Sequence, residues 1–156
     1  ARMINARSET LAEKPSFRGA FRRRRCLIPA DGFYEWKLEA GRKTPNRITV
    51  GSDSLFAFAG LWESWIRPNG STLFSCVIIT TSPNDVMASI HGRMPVILPQ
   101  GSESLWLDPG CQDTDVLSRL LLPRDIDGLN AYEVSTLVNS PTNNSEEVTV
   151  PVNKLF

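Results

Sequence analysis

Short apolar runs recur between polar stretches along much of this chain, at lengths that suit strands rather than long helices. Apolar and β-branched runs bounded by Gly, Pro or Asn predict strands at 26–29, 33–38, 46–50, 55–62, 73–81 and 94–98, with Asn69-Gly70 as a hairpin signal. Helical spacing is rarer. Pro15-Ser16 opens a short helix through Phe17 and Phe21 that ends in Arg22–Arg25, where most of the four arginines suit a solvated last turn. Over 82–92, Ser82 is placed as N-cap, Pro83 as first helical residue and Asp85 as a capping-box partner. Val86, Met87 and Ile90 form the apolar stripe, and Gly92 suits a left-handed stop. Val116, Leu117, Leu120 and Leu121 predict a further helix over 113–122, ended by Pro123, and the polar tail around Asn143, Asn144 and Glu146 predicts a loop. Strands outnumber helices without alternating with them. The expected class is α+β: a mixed, largely antiparallel, barrel-like sheet with a few short helices, in a single domain over 1–156.

One carboxylate interrupts the pattern. The run Arg25-Cys-Leu-Ile-Pro-Ala-Asp-Gly-Phe-Tyr-Glu-Trp36 turns at Asp31-Gly32 and then sets large side chains on both faces. Glu35 shares a face with Phe33, while Tyr34 and Trp36 point the other way. A strand covered on both faces desolvates such an acid, which raises its pKa toward the range of a general acid. Pairing with a nearby arginine is the other reading. His91, the single histidine of the chain, falls at the end of the 82–92 helix beside Gly92-Arg93, and either a functional or a structural role fits it. Asn5-Ala-Arg7-Ser-Glu-Thr10 groups an amide, a guanidinium and a hydroxyl. Arg7 could take a phosphate bidentately and Asn5 could orient an amine, or the segment could be a turn with capping side chains.

Charge sharpens this picture. The formal net charge is zero, yet residues 1–47 hold 12 Lys+Arg against 5 Asp+Glu, a net of +7, and 48–156 carry the opposite excess. A basic third attracts phosphates, or lies against the acidic remainder. Cys26, Cys76 and Cys111 form no CxxC pair and suggest neither a disulfide framework nor a zinc site. Cys26 and Cys76 are expected to be buried thiols and Cys111 to sit in a turn. One histidine excludes a His-rich metal centre, and the absence of G-x-S-x-G argues against an α/β-hydrolase elbow. No cofactor or metal is expected. No apolar run approaches the length of a membrane span. A reduced, intracellular protein is the expectation, and Ala1–Arg7 reads as the middle of a longer chain.

Three segments carry a resemblance: N-A-R-S-E-T at 5–10, R-R-C-L-I-P-A-D-G-F-Y-E-W at 24–36 and H-G-R-M-P-V-I-L at 91–98, supported by F-A-F-A-G-L-W-E at 56–63 and I-I-T-T at 78–81. In order and spacing they resemble the SOS response-associated peptidase (SRAP) family over essentially the whole chain. That resemblance implies a sensor of abasic sites in single-stranded DNA, monomeric and free of membrane or metal. It would be cytoplasmic and nucleoid-associated in a bacterium, and nuclear in a eukaryote. The family's nucleophile is a cysteine exposed by loss of the initiator methionine. Its amine condenses with the abasic aldehyde and its thiol closes a thiazolidine crosslink; the same site acts as an autopeptidase on the N-terminus.

Transferred to matching positions, the resemblance makes Asn5, Glu35 and His91 catalytic. Asn5 orients the amine, Glu35 moves protons and His91 assists the imine. Arg7, Thr80 and Arg93 become DNA-binding. No cysteine here matches the nucleophile, which is expected upstream, so the fragment alone is expected to be inactive. Where the family usually has His-Asp-Arg this chain has His91-Gly92-Arg93. A non-catalytic single-stranded DNA-binding module is the alternative, and a hydrolase pairing His91 with Cys26 or a serine is a more distant one.

Overall fold

The computed structural model describes residues 3–51 and 55–152. Ala1 and Arg2, the first residues of the stretch read as the middle of a longer chain, lie outside the described residues. The chain divides into two compact units, each assembled from three separated segments: 1–29, 56–82 and 93–123 form the first, and 30–55, 83–92 and 124–156 the second.

The first unit is built on a five-stranded sheet. β1 (Asn5–Arg7), β6 (Thr72–Thr81), β5 (Phe56–Ile66) and β2 (Arg25–Ala30) follow one another in that order, and β7 (Met94–Pro95) also pairs with β6. β1 runs parallel to β6, whereas β5 and β7 run antiparallel to it. The β5–β6 ladder ends at Gly60↔Ile78. Past that point the two strands part, and 95–98 fills the gap: the Val96 N–H donates to Ile79 at 2.8 Å while its carbonyl accepts from Ala59 at 2.9 Å. The 94–98 strand is therefore a two-residue ladder followed by single bonds to both neighbours. Gly60 is where β2 comes close, since a Cβ there would lie 2.8 Å from Ile28 Cδ1 and 2.9 Å from Cys26 Sγ.

Alternation turns Ala6, Ala59, Leu61 and Ile79 inward to meet Phe21 of α1 (Arg18–Arg23) and Trp106 of α3 (Glu103–Leu107). Leu117 of α4 (Thr114–Arg119) and Leu121 close the same core. Arg25 corrects the expectation of a solvated arginine turn. It is 6% exposed and donates to the carbonyls of Phe21, Arg22, Trp106, Asp108 and Cys111. Five N–H groups meet five carbonyls, and the guanidinium carbon lies 5.6 Å from the Trp106 ring centroid. Desolvation lowers its pKa, nearby Cys111 and Asp108 partly offset that, and the five backbone carbonyls solvate the cation.

The second unit holds a three-stranded antiparallel sheet of β3 (Phe33–Glu39), β4 (Arg42–Val50) and β8 (Leu129–Glu133), with β4 in the middle. Its register sets two rows across the strands, Tyr34–Arg47–Tyr132 on one face and Glu35–Asn46–Glu133 on the other. The tyrosine row anchors the tail: Tyr34 OH donates to the Val148 carbonyl at 3.1 Å and Tyr132 OH to Thr149 at 3.0 Å. β3 is half-buried over 33–37, not fully covered.

The α+β class, the mostly antiparallel pairing and the short helices agree with the sequence reading. Barrel closure does not: among the described residues the strands divide between two open sheets. The 82–92 helix is also shorter than expected. α2 spans Asp85–Ala88, capped by Asn84, whose side chain accepts from the Met87 N–H at 3.1 Å. Gly92 is not among the glycines with positive φ, so the left-handed stop is absent. β8, for which the sequence predicts no strand, forms because Leu129–Glu133 completes the sheet beside β4.

Candidate functional site

Glu35 and His91, distant in sequence, meet within the second unit. The turn at 31–32 starts β3, whose pairing with β4 fixes Glu35 opposite Asn46. α2 delivers the histidine: the Ile90 and His91 N–H groups both donate to the Met87 carbonyl at 2.9 Å, so His91 completes the last turn beyond the helix proper. His91 Nδ1 then lies 3.7 Å from Glu35 Oε2, longer than a hydrogen bond and within ion-pair range once the imidazole is protonated. The Glu35 side chain is 22% exposed and that of His91 47%. Burial raises the Glu35 carboxyl above its ordinary value, and the His91 charge and the Trp36 backbone N–H only partly offset that effect. A desolvated carboxyl beside an accessible imidazole can donate a proton, take it back and stabilise a neighbouring cation.

The other four candidates lie in the first unit. In the β1–β6 register, Ala6 and Ile79 face the core while Asn5 pairs with Ile78 and Arg7 with Thr80. Asn5 and Arg7 are exposed. Thr81↔Met94 and Thr80↔Pro95 pairing brings Arg93 to Thr80, where Arg93 Nη2 donates to the Thr80 carbonyl at 2.7 Å and to Thr80 Oγ1 at 3.3 Å. The same guanidinium holds Glu9 bidentately: Nη1 to Oε1 at 2.6 Å and Nη2 to Oε2 at 3.0 Å. Glu9 is a participant that the sequence reading passed over. Its signal was present in the 5–10 motif, but only the fold brings Arg93 within reach.

The cysteines divide differently from expectation. Cys26 is half-buried and burial pushes its thiol up to about 11, so it is a poor nucleophile near neutrality. Cys76 is exposed, because β6 is uncovered over 72–76 among the described residues. Cys111 is half-buried in a turn, its N–H donating to the Asp108 carbonyl at 3.1 Å. Among the described residues no group of three or more His, Cys, Asp or Glu is placed to hold a metal ion, and no helix is long and apolar enough to cross a membrane.

Known proteins resemble the chain over most of its length. Abasic site processing protein YoqW of Bacillus subtilis (strain 168) is 57% identical over 148 residues, which is 94% of this chain and 66% of that protein. Abasic site processing protein HMCES of Xenopus tropicalis is 35% identical over 164 residues, covering 92% of this chain and 48% of that protein. A crystal structure of a protein from Bacteroides thetaiotaomicron superposes with a TM-score of 0.86 at 32% identity, over 96% of this chain and 66% of that one. The chain thus spans between about half and two thirds of the length of these relatives. The model of one family, SOS response associated peptidase (SRAP), matches residues 1–141, and the chain belongs to that family.

Proposed function

We propose that the chain is the larger part of a protein that processes abasic sites in single-stranded DNA, with Glu35 as its proton-transfer residue. The observation that carries this reading is the Glu35–His91 pair, a carboxyl raised by burial with an imidazole 3.7 Å away. Opening an abasic sugar and forming an imine both require protons to be delivered and removed near neutrality, and a raised carboxyl does both. The names of the relatives supply the substrate class. In this reading Asn5 orients the attacking amine, His91 assists the imine, and Arg7, Thr80 and Arg93 hold phosphates. The nucleophile is an N-terminal cysteine of the full-length protein, which closes a thiazolidine and also acts in autocatalytic release of the N-terminus. Discontinuity in sequence supports treating both units as one domain, because neither is a single excisable stretch.

The test uses full-length protein with its N-terminal cysteine exposed and a single-stranded oligonucleotide containing one abasic site. A denaturant-resistant shifted band is expected. Glu35→Gln is expected to slow its formation at least about tenfold while changing reversible binding to an intact strand less than about twofold. Absence of the band from wild-type protein would sink the proposal, and equal losses in both assays would reduce Glu35 to a structural role.

A reversible binding module is the second reading. The raised Cys26 thiol argues against the more distant hydrolase reading through Cys26 and leaves this one as the reading without chemistry.

A further inference from the structure

The 5–10 segment carries one acid, Glu9, for which holding phosphate has no evident use. A carboxylate in a phosphate-binding group repels the ligand, yet here it makes the strongest contact of that group. Both terminal nitrogens of Arg93 are engaged by the two Glu9 oxygens, at 2.6 and 3.0 Å. This fork-on-fork geometry is the one a guanidinium also offers to two phosphate oxygens. The pair is not deeply buried: the Glu9 side chain is 47% exposed against 25% for Arg93, so the acid is the more accessible partner. The carboxyl is held below its ordinary value first by its hydrogen bond from Arg93, with the charges of Arg93 and, least, of Arg7 acting in the same direction.

We propose that Glu9 occupies the phosphate seat of Arg93, so that a phosphodiester engages Arg93 only by displacing the carboxylate. The inference rests on the reading that Arg7 and Arg93 hold DNA phosphates. While Glu9 is seated, the Arg93 charge is cancelled at short range and its contribution to attracting a polyanion is small. A passing strand is then held mainly by Arg7 and released readily. A strand fixed by additional contacts can exchange the carboxylate for phosphate. The cost of unseating Glu9 falls on any strand that uses Arg93, so the carboxylate lowers affinity at that seat until other contacts hold the strand in place. Thr80 gives the Arg93 guanidinium a second hold besides Glu9, through its carbonyl and Oγ1.

The experiment compares wild type, Glu9→Gln, Glu9→Ala, Arg93→Ala and the Glu9→Gln/Arg93→Ala double variant in two assays. One follows a labelled intact single-stranded oligonucleotide by fluorescence anisotropy across a salt series. The other follows inorganic pyrophosphate by NMR of the arginine side chains. Glu9→Gln and Glu9→Ala are expected to bind both ligands about three- to tenfold more tightly, with the salt slope on DNA steeper by about 0.7, the value of one phosphate contact on a single strand. In the Arg93→Ala background the gain is expected to vanish. A loss or no change of pyrophosphate affinity on removing the acid would overturn the proposal and make Glu9 a brace for Arg93. An equal gain without Arg93 would also overturn it, as a general charge effect. If pyrophosphate shows the gain but no variant binds DNA, the seat stands and the DNA reading falls.

Discussion

At the scale of single residues, two charged groups occupy sites that water only partly reaches, and they resolve the cost differently. Among the described residues Glu35 has the His91 imidazole at 3.7 Å and no bidentate cation; burial raises its carboxyl despite His91. The sign of its effect on stability follows. Above the ordinary carboxyl range and below its raised value, the native state holds a proton that the unfolded chain has released, so stability falls as pH rises through that window. Glu35→Gln is expected to abolish that slope and to leave the chain more stable than wild type at neutral pH, as measured by urea denaturation between pH 4 and 8. A variant less stable at neutral pH would show that His91 more than compensates the buried charge. Arg25 instead keeps its charge by giving every N–H a carbonyl. Arg25→Met leaves five backbone acceptors without that donor and is expected to lower stability by about 3 kcal/mol or more in the same assay. The acid was legible from sequence because alternation marks a carboxylate in an apolar run. The role of Arg25 was not: its acceptors lie on α1 and on residues more than eighty positions away, and four consecutive arginines look alike until packing separates them.

Elements were read most reliably where side chains alternate and least where neighbours decide. β3 and β6 fall close to their expected bounds, since turn residues and apolar runs delimit both, whereas β5 continues to Ile66, past its expected end at Trp62. α2 is shorter than its pattern suggested because Asn84, not Ser82, caps it, and because Gly92 sits in ordinary backbone with open space around its Cα. Within β5, Gly60 is set by close approach to β2. Gly60→Ala drives a Cβ to within 2.8 Å of Ile28 Cδ1 and is expected to cost about 1–3 kcal/mol. Combining it with Ile28→Val, which removes that Cδ1, is expected to recover part of the loss in a double-mutant cycle. Strict additivity of the two changes would place the crowding elsewhere. Nothing in the 56–63 run announces this, because a glycine at a strand crossing and a glycine in a turn are the same letter.

For the whole molecule, the two units redistribute a charge that the sequence shows as an N-terminal excess. The segments of the first unit hold 11 Lys+Arg against 7 Asp+Glu, a net of +4, and those of the second hold 6 against 10, a net of −4. Arg42 and Lys43, counted in the basic third by sequence, belong to the acidic unit. Affinity for single-stranded DNA is therefore expected to depend on the first unit: Arg7→Ala should weaken binding and lower the salt slope by about 0.7, while Lys43→Gln should change neither. Equal effects of the two substitutions in a salt-dependent binding series would return the argument to total charge. The chain by itself determined the class of fold, most strands, the family resemblance and the unusual carboxylate, since each depends on local periodicity or on residues adjacent in sequence. Tertiary structure alone decided that Glu35 meets His91, that Arg93 is already held by Glu9 and Thr80, that Arg25 is a buried clamp, and that the sheets stay open. Those outcomes depend on register and packing between segments tens of residues apart, where free energies of a few kcal/mol are set by neighbours that no local pattern names.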